Sequence, residues 1–142
     1  MKRFMFLFIL LTCTFCYSEG FIKDENIAVL DSCYSEECFL PTRVEVVKSL
    51  SACEKYLYLN KENDDEIQKI LNHKDDYCVQ IVGIIKSNER VLFLNFLDKE
   101  FQKDESFYKN IIFIEDGGFY FWNIEYDTGK DECTSISING EA

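Results

Sequence analysis

The sequence predicts an α+β domain in which two N-terminal helices pack on an antiparallel sheet of four or five strands. Three observations lead there. Thr42-Arg43-Val44-Glu45 is a capping box, and it opens a run of apolar residues at helical spacing. From Cys78 onward the apolar residues fall instead into extended runs rich in β-branched and aromatic side chains. Turn signals punctuate those runs, above all Asp116-Gly117-Gly118.

In chain order, Met1-Lys2-Arg3 is a short positive head, and residues 4–15 form an apolar or small run of about a dozen positions, the length of a signal-peptide core. A membrane-spanning helix needs roughly 20 apolar residues, and Glu19 and Lys23 interrupt before that. Residues 1–18 therefore read as a signal peptide cut after Ser18, leaving a single domain over 19–142. Two alternatives stand beside this: lipoprotein processing at Cys13 or Cys16, or a buried N-terminal helix. The residues preceding those cysteines, Thr12 and Phe15, are not the Gly, Ala or Ser that lipidation favours.

Charge and cysteines narrow the class. The chain carries a net charge of −11, and loss of Lys2 and Arg3 with the signal takes its 15 basic residues to 13 against 26 acidic, a charge of −13. Such a surface repels nucleic acid and anionic lipid, and it either steers a basic protein partner toward it or serves only to keep an exported protein soluble. Cleavage would also remove two of the seven cysteines, leaving Cys33, Cys38, Cys53, Cys78 and Cys133. In an oxidising compartment these are expected to form bridges. Cys33 with Cys38 is the easiest pair across a short polar loop, Cys53 with Cys78 would tie a helix to the sheet, and Cys133 is left over.

Residues 19–40 are polar and acidic apart from the apolar stretch 27–30, which is a short strand or a segment laid over the core. After Pro41, Val46, Leu50, Cys53 and Leu57 mark one buried helix face running to Leu59. A second helix is expected from Asn63, with Asp64, Asp65 and Glu66 at its positive end and Ile67, Ile70 and Leu71 facing inward. Residues 78–86 and 91–97 read as a hairpin joined by the polar stretch 87–90, and 98–105 as a charged loop. Residues 111–114 and 119–126 read as a second hairpin around the Asp-Gly-Gly turn. A turn at 127–130 then leads into a last strand over 132–138.

One face of the 119–126 segment would carry Tyr120, Trp122, Ile124 and Tyr126. This aromatic stripe either lies beneath the helices or lines a binding face. With it, Asp116, Gly117, Gly118 and Asp127 are the candidate contact residues. Catalysis has little to stand on. The acidic clusters 64–66 and 75–76 sit at a helix start and a turn, the chain has a single histidine, and no nucleophile elbow or phosphate-cradling glycine loop occurs. A non-enzyme without cofactor or metal is expected.

Asp116-Gly117-Gly118, Phe121, Tyr126-Asp127 and the terminal Asn139-Gly140-Glu141-Ala142 resemble small exported proteins of Gram-negative bacteria that end in a D-G-G hairpin, a Tyr-Asp turn and N-G-x-A. Those proteins have no assigned activity. The resemblance covers about half of the mature chain and implies a bacterial cell-envelope setting. Export, small size and acidity then point to a binding protein of the periplasm or the exterior, of the kind that inhibits, or confers immunity to, a basic lytic enzyme or toxin. The alternatives are a small-ligand module with an aromatic pocket and a structural envelope protein.

Overall fold

The computed structural model describes residues 21–31, 33 and 37–140. The signal-peptide and lipidation expectations, which concern residues 1–18, lie outside the described residues.

The apolar run Ile-Ala-Val-Leu forms β1 (Ile27–Leu30), and Cys38–Phe39 forms a two-residue β2. The capping box opens α1 (Arg43–Asn60): the Thr42 amide donates to the Glu45 carboxylate at 2.8 Å, and the Glu45 amide donates to the Thr42 hydroxyl at 3.2 Å. Val46, Ser49, Cys53 and Leu57 are the buried positions of α1. α2 (Asp65–Asn72) is capped one residue later than expected, by Asp64, whose carboxylate accepts from the Glu66 amide at 2.9 Å. β3 (Tyr77–Lys86) and β4 (Glu89–Asp98) follow, then β5 (Trp122–Asp127) and β6 (Glu132–Ile138). Only Ser87 and Asn88 separate β3 from β4, both at positive φ (53° and 64°), as a tight hairpin with primed geometry requires.

The six strands make one mixed sheet in the order β1-β3-β4-β5-β6, with β2 also on β3. β1 runs parallel to β3 from Ile27 opposite Val79 to Leu30 opposite Val82. β2 runs antiparallel on the next stretch, Cys38 opposite Ile84 and Phe39 opposite Gly83. The expected architecture of two N-terminal helices on an antiparallel sheet of four or five strands is thereby corrected. The helices are mid-chain because two strands precede them, and α1 and α2 supply the crossover that a parallel β1–β3 pair needs.

The core has two layers. Tyr77, Val79 and Ile81 point toward the helices with Cys53, Leu57, Ile70 and Trp122. The alternate residues Cys78 and Val82 point to the other face, with Ala28, Leu30 and Phe107. Burial on both sides explains why residues 77–83 show no polar alternation.

The second expected hairpin does not form. Residues 111–114 contain no strand, β5 pairs with β4 instead, and Gly118–Tyr120 is a 3-10 turn. The backbone of the 107–112 segment finds its partners in two buried amide side chains, Gln80 and Asn95, so no strand partner is required there. Gly117 (φ 110°) and Gly118 (φ 60°) still need positive φ. They turn the chain toward the C-terminal segment, where the Gly118 amide donates to the Gly140 carbonyl at 3.1 Å and Asp116 bridges Gly140.

Candidate functional site

The aromatic stripe divides between core and surface. Trp122 is 1% exposed, stacked on Phe96 at 3.8 Å with an interplanar angle of 1°, and edge-on to Tyr77 at 5.9 Å. Its buried Nε1–H has no acceptor in hydrogen-bond geometry. The neighbouring Tyr77 hydroxyl gives its own proton to the Phe119 carbonyl at 2.7 Å. Tyr126 is also 1% exposed and donates its hydroxyl proton to the Asp131 carboxylate, while burial pushes its phenol well up. Neither ring faces an open pocket. Tyr120 is half-buried in the 3-10 turn before β5, against Phe119 at 4.4 Å and His73 at 5.7 Å.

The polar candidates separate in the same way. Asp127 is buried at the start of the β5–β6 turn. Its carboxylate accepts from the Gly129 amide at 2.9 Å, the Lys130 amide at 3.0 Å and the Lys130 ammonium at 2.7 Å. The Lys130 side chain, foremost, holds that carboxyl below its ordinary range, and the group's bonding capacity is used inside its own turn. Asp116 and Gly117 are exposed, whereas Gly118 is buried. The Phe121 ring fills the space a side chain at Gly117 would take, which fixes the turn that presents Asp116.

Cys33 and Cys38 are disulfide-bonded with Cα atoms 6.1 Å apart, closing the reversal between β1 and β2. The expected Cys53–Cys78 bridge is corrected: Cys53 lies under α1 and Cys78 on the opposite face of the sheet, where its thiol donates to the Asp98 carbonyl at 3.5 Å.

The sequence points to a sheet edge as a contact surface without saying which strand supplies it, and among the described residues the long open edge is the outer edge of β6. This seven-residue strand pairs only with β5 among the described residues. The Asn139 amide donates to the Phe121 carbonyl, so by antiparallel alternation Ser137 faces inward to β5 and the backbone groups of Ile136 and Ile138 point outward. Thr134, Ser135 and Ser137 are exposed, and Asp131 and Glu132 stand exposed at the strand's start. No proline blunts this edge, and its strand carries no lysine. The missing sequence signal is the strand order, which follows from long-range pairing.

Between α1 and the start of β6 runs an open groove of about 390 Å³, with Lys48, Lys55 and Tyr56 on one wall and Glu132 and Cys133 on the other. Burial pushes the Cys133 thiol up to about 12, so only a small fraction of it is thiolate at neutral pH. No three His, Cys, Asp or Glu side chains converge among the described residues, and no described helix is long and apolar enough to cross a membrane. The arrangement is suited to strand pairing and to charge recognition. Comparison with known protein families, with curated proteins and with solved structures finds no match for the chain.

Proposed function

We propose that the chain is an exported, acidic binding protein of the bacterial cell envelope that acts by binding a basic protein, as an inhibitor or immunity-type protein does. The observation that carries this is the open edge of β6 with Asp131 and Glu132 beside it, on a chain of net charge −11. An open edge offers backbone donors and acceptors to an extended segment of a partner, and the flanking carboxylates favour a segment rich in Lys and Arg. Export is supported by the apolar run at residues 4–15 and by the Cys33–Cys38 disulfide, which belongs in an oxidising compartment. Release into the periplasm or the exterior follows from a cut after Ser18, and anchoring by lipid from processing at Cys13 or Cys16.

The test titrates the purified mature protein against basic cell-wall-cleaving enzymes, with an acidic enzyme of the same class as control, at about 20 mM and about 500 mM salt. Binding to a basic enzyme at low salt that weakens at high salt is expected, with loss of lytic activity in the complex. No retention of any basic enzyme at low salt, or equal retention of basic and acidic enzymes, overturns the proposal.

A further inference from the structure

Three cysteines lie outside the Cys33–Cys38 bridge among the described residues: Cys53, Cys78 and Cys133. Cys53 is fully buried near the centre of α1's inner face, between Ser49 and Leu57. That face packs on β5 and β6. Cys133 lies on β6 opposite Tyr126, beside the irregularity at Glu125 and Tyr126 where the ladder slips, and packs on the same hydrophobic cluster that contains Cys53 and Tyr126. Cys78 points into the other layer.

We propose that Cys53 and Cys133 form a second disulfide, which fastens α1 to the edge strand β6. Of the pairings open to these three residues, it is the one that does not have to pass through the sheet. Burial raises the Cys53 thiol, and a negative charge on Cys133 would raise it further. Access is one-sided. Cys133, half-buried in the wall of the open groove, meets an incoming oxidant first, and Cys53 behind it is sealed from solvent.

The oxidant is a disulfide, borne by a thiol oxidoreductase or by oxidised glutathione. Cys133 loses its proton and attacks one sulfur of that disulfide, giving a mixed disulfide and one released thiol. Cys53 then loses its proton and displaces the second thiol from Cys133. Two protein thiols are oxidised by two electrons, the oxidant's disulfide is reduced to two thiols, and these take up the two protons. The new bond would close a loop of about 80 residues and hold the base of the β6 edge in register. It does not depend on the identity of any partner.

The reduced full-length protein, in native buffer, is titrated with oxidised glutathione, quenched with a thiol-alkylating reagent after denaturation, and digested without reductant. Peptides containing Cys53 and Cys133 are expected to appear linked, and both residues to lose alkylation together while Cys78 stays alkylated. Cys133→Ser should leave Cys53 alkylated at every oxidant concentration. Alkylation of both Cys53 and Cys133 in protein that has re-formed Cys33–Cys38 overturns the proposal. So does a link from either residue to Cys13, Cys16 or Cys78, or between two copies of the chain.

Discussion

Gln80 and Asn95 face each other across β3 and β4 and share one buried polar clasp. The Asn95 amide donates to the Gln80 side-chain oxygen at 3.2 Å and to the Ile112 carbonyl at 2.7 Å. The Gln80 amide donates to the Phe107 and Asn110 carbonyls, both at 2.8 Å, and its oxygen accepts from the Ile112 amide at 2.8 Å. Two side chains thus do for the 107–112 segment what a neighbouring strand would do, and the segment covers the sheet's second face.

Gln80→Leu should therefore be costly although it adds an apolar residue to an apolar layer. It strands the Phe107 and Asn110 carbonyls and the Ile112 amide, and an unsatisfied buried group costs about 1–3 kcal/mol. A loss of about 3 kcal/mol is expected in urea unfolding, with Ile112 amide exchange accelerated more than exchange in β5. Protection at Ile112 equal to that of the unaltered protein would refute the clasp.

Gly117→Ala should destabilise by about 1–3 kcal/mol, because φ of 110° strains an L-residue and its methyl group would run into the Phe121 ring. Gly140→Ala is the control. A Cβ there meets nothing within 4 Å, so a change within about 0.5 kcal/mol is expected from thermal unfolding.

Glu45 joins the helix cap to the sheet through Arg90, whose Nη2 lies 2.8 Å from its carboxylate while the guanidinium covers the Phe39 ring at 3.7 Å. Burial works to raise the Glu45 carboxyl, but the Thr42 amide and hydroxyl and the Arg90 guanidinium together hold it below its ordinary value. A carboxyl lowered by folding stabilises above its unfolded pKa and loses that contribution as pH falls through the folded one. Wild-type stability should therefore drop over roughly pH 5 to 3 more steeply than that of Glu45→Gln, measured by urea midpoints at each pH. Parallel curves would assign the acid sensitivity elsewhere.

Glu132→Lys reverses an exposed charge at the start of the β6 edge. It should slow association with a basic partner severalfold at low salt and change little at high salt. Surface-plasmon association rates at two salt concentrations, with Glu105→Lys on the far loop as control, check it. Equal slowing by both substitutions would mean that net charge, and not this edge, governs recognition.

The parts of the fold legible in the sequence are those whose partners lie a few residues away. Thr42 and Glu45 cap α1 across three positions, Val46, Cys53 and Leu57 meet on one helical face by periodicity alone, and the polar break between β3 and β4 marks a hairpin. The Cys33–Cys38 bridge belongs with them, since its loop is short. What tertiary structure decided is where distant segments find hydrogen-bond partners and cover. The run Ile27–Leu30 carries no mark of parallel pairing with β3, and nothing local to residues 111–114 says that amides from Gln80 and Asn95 will replace a strand. Trp122 and Tyr126 became core, and Cys53 and Cys78 were set on opposite faces, because the helices cover one side of the sheet and the 99–114 segment the other. The open edge of β6 follows from that same strand order: among the described residues the sheet ends there, and no other strand pairs with its outward backbone groups.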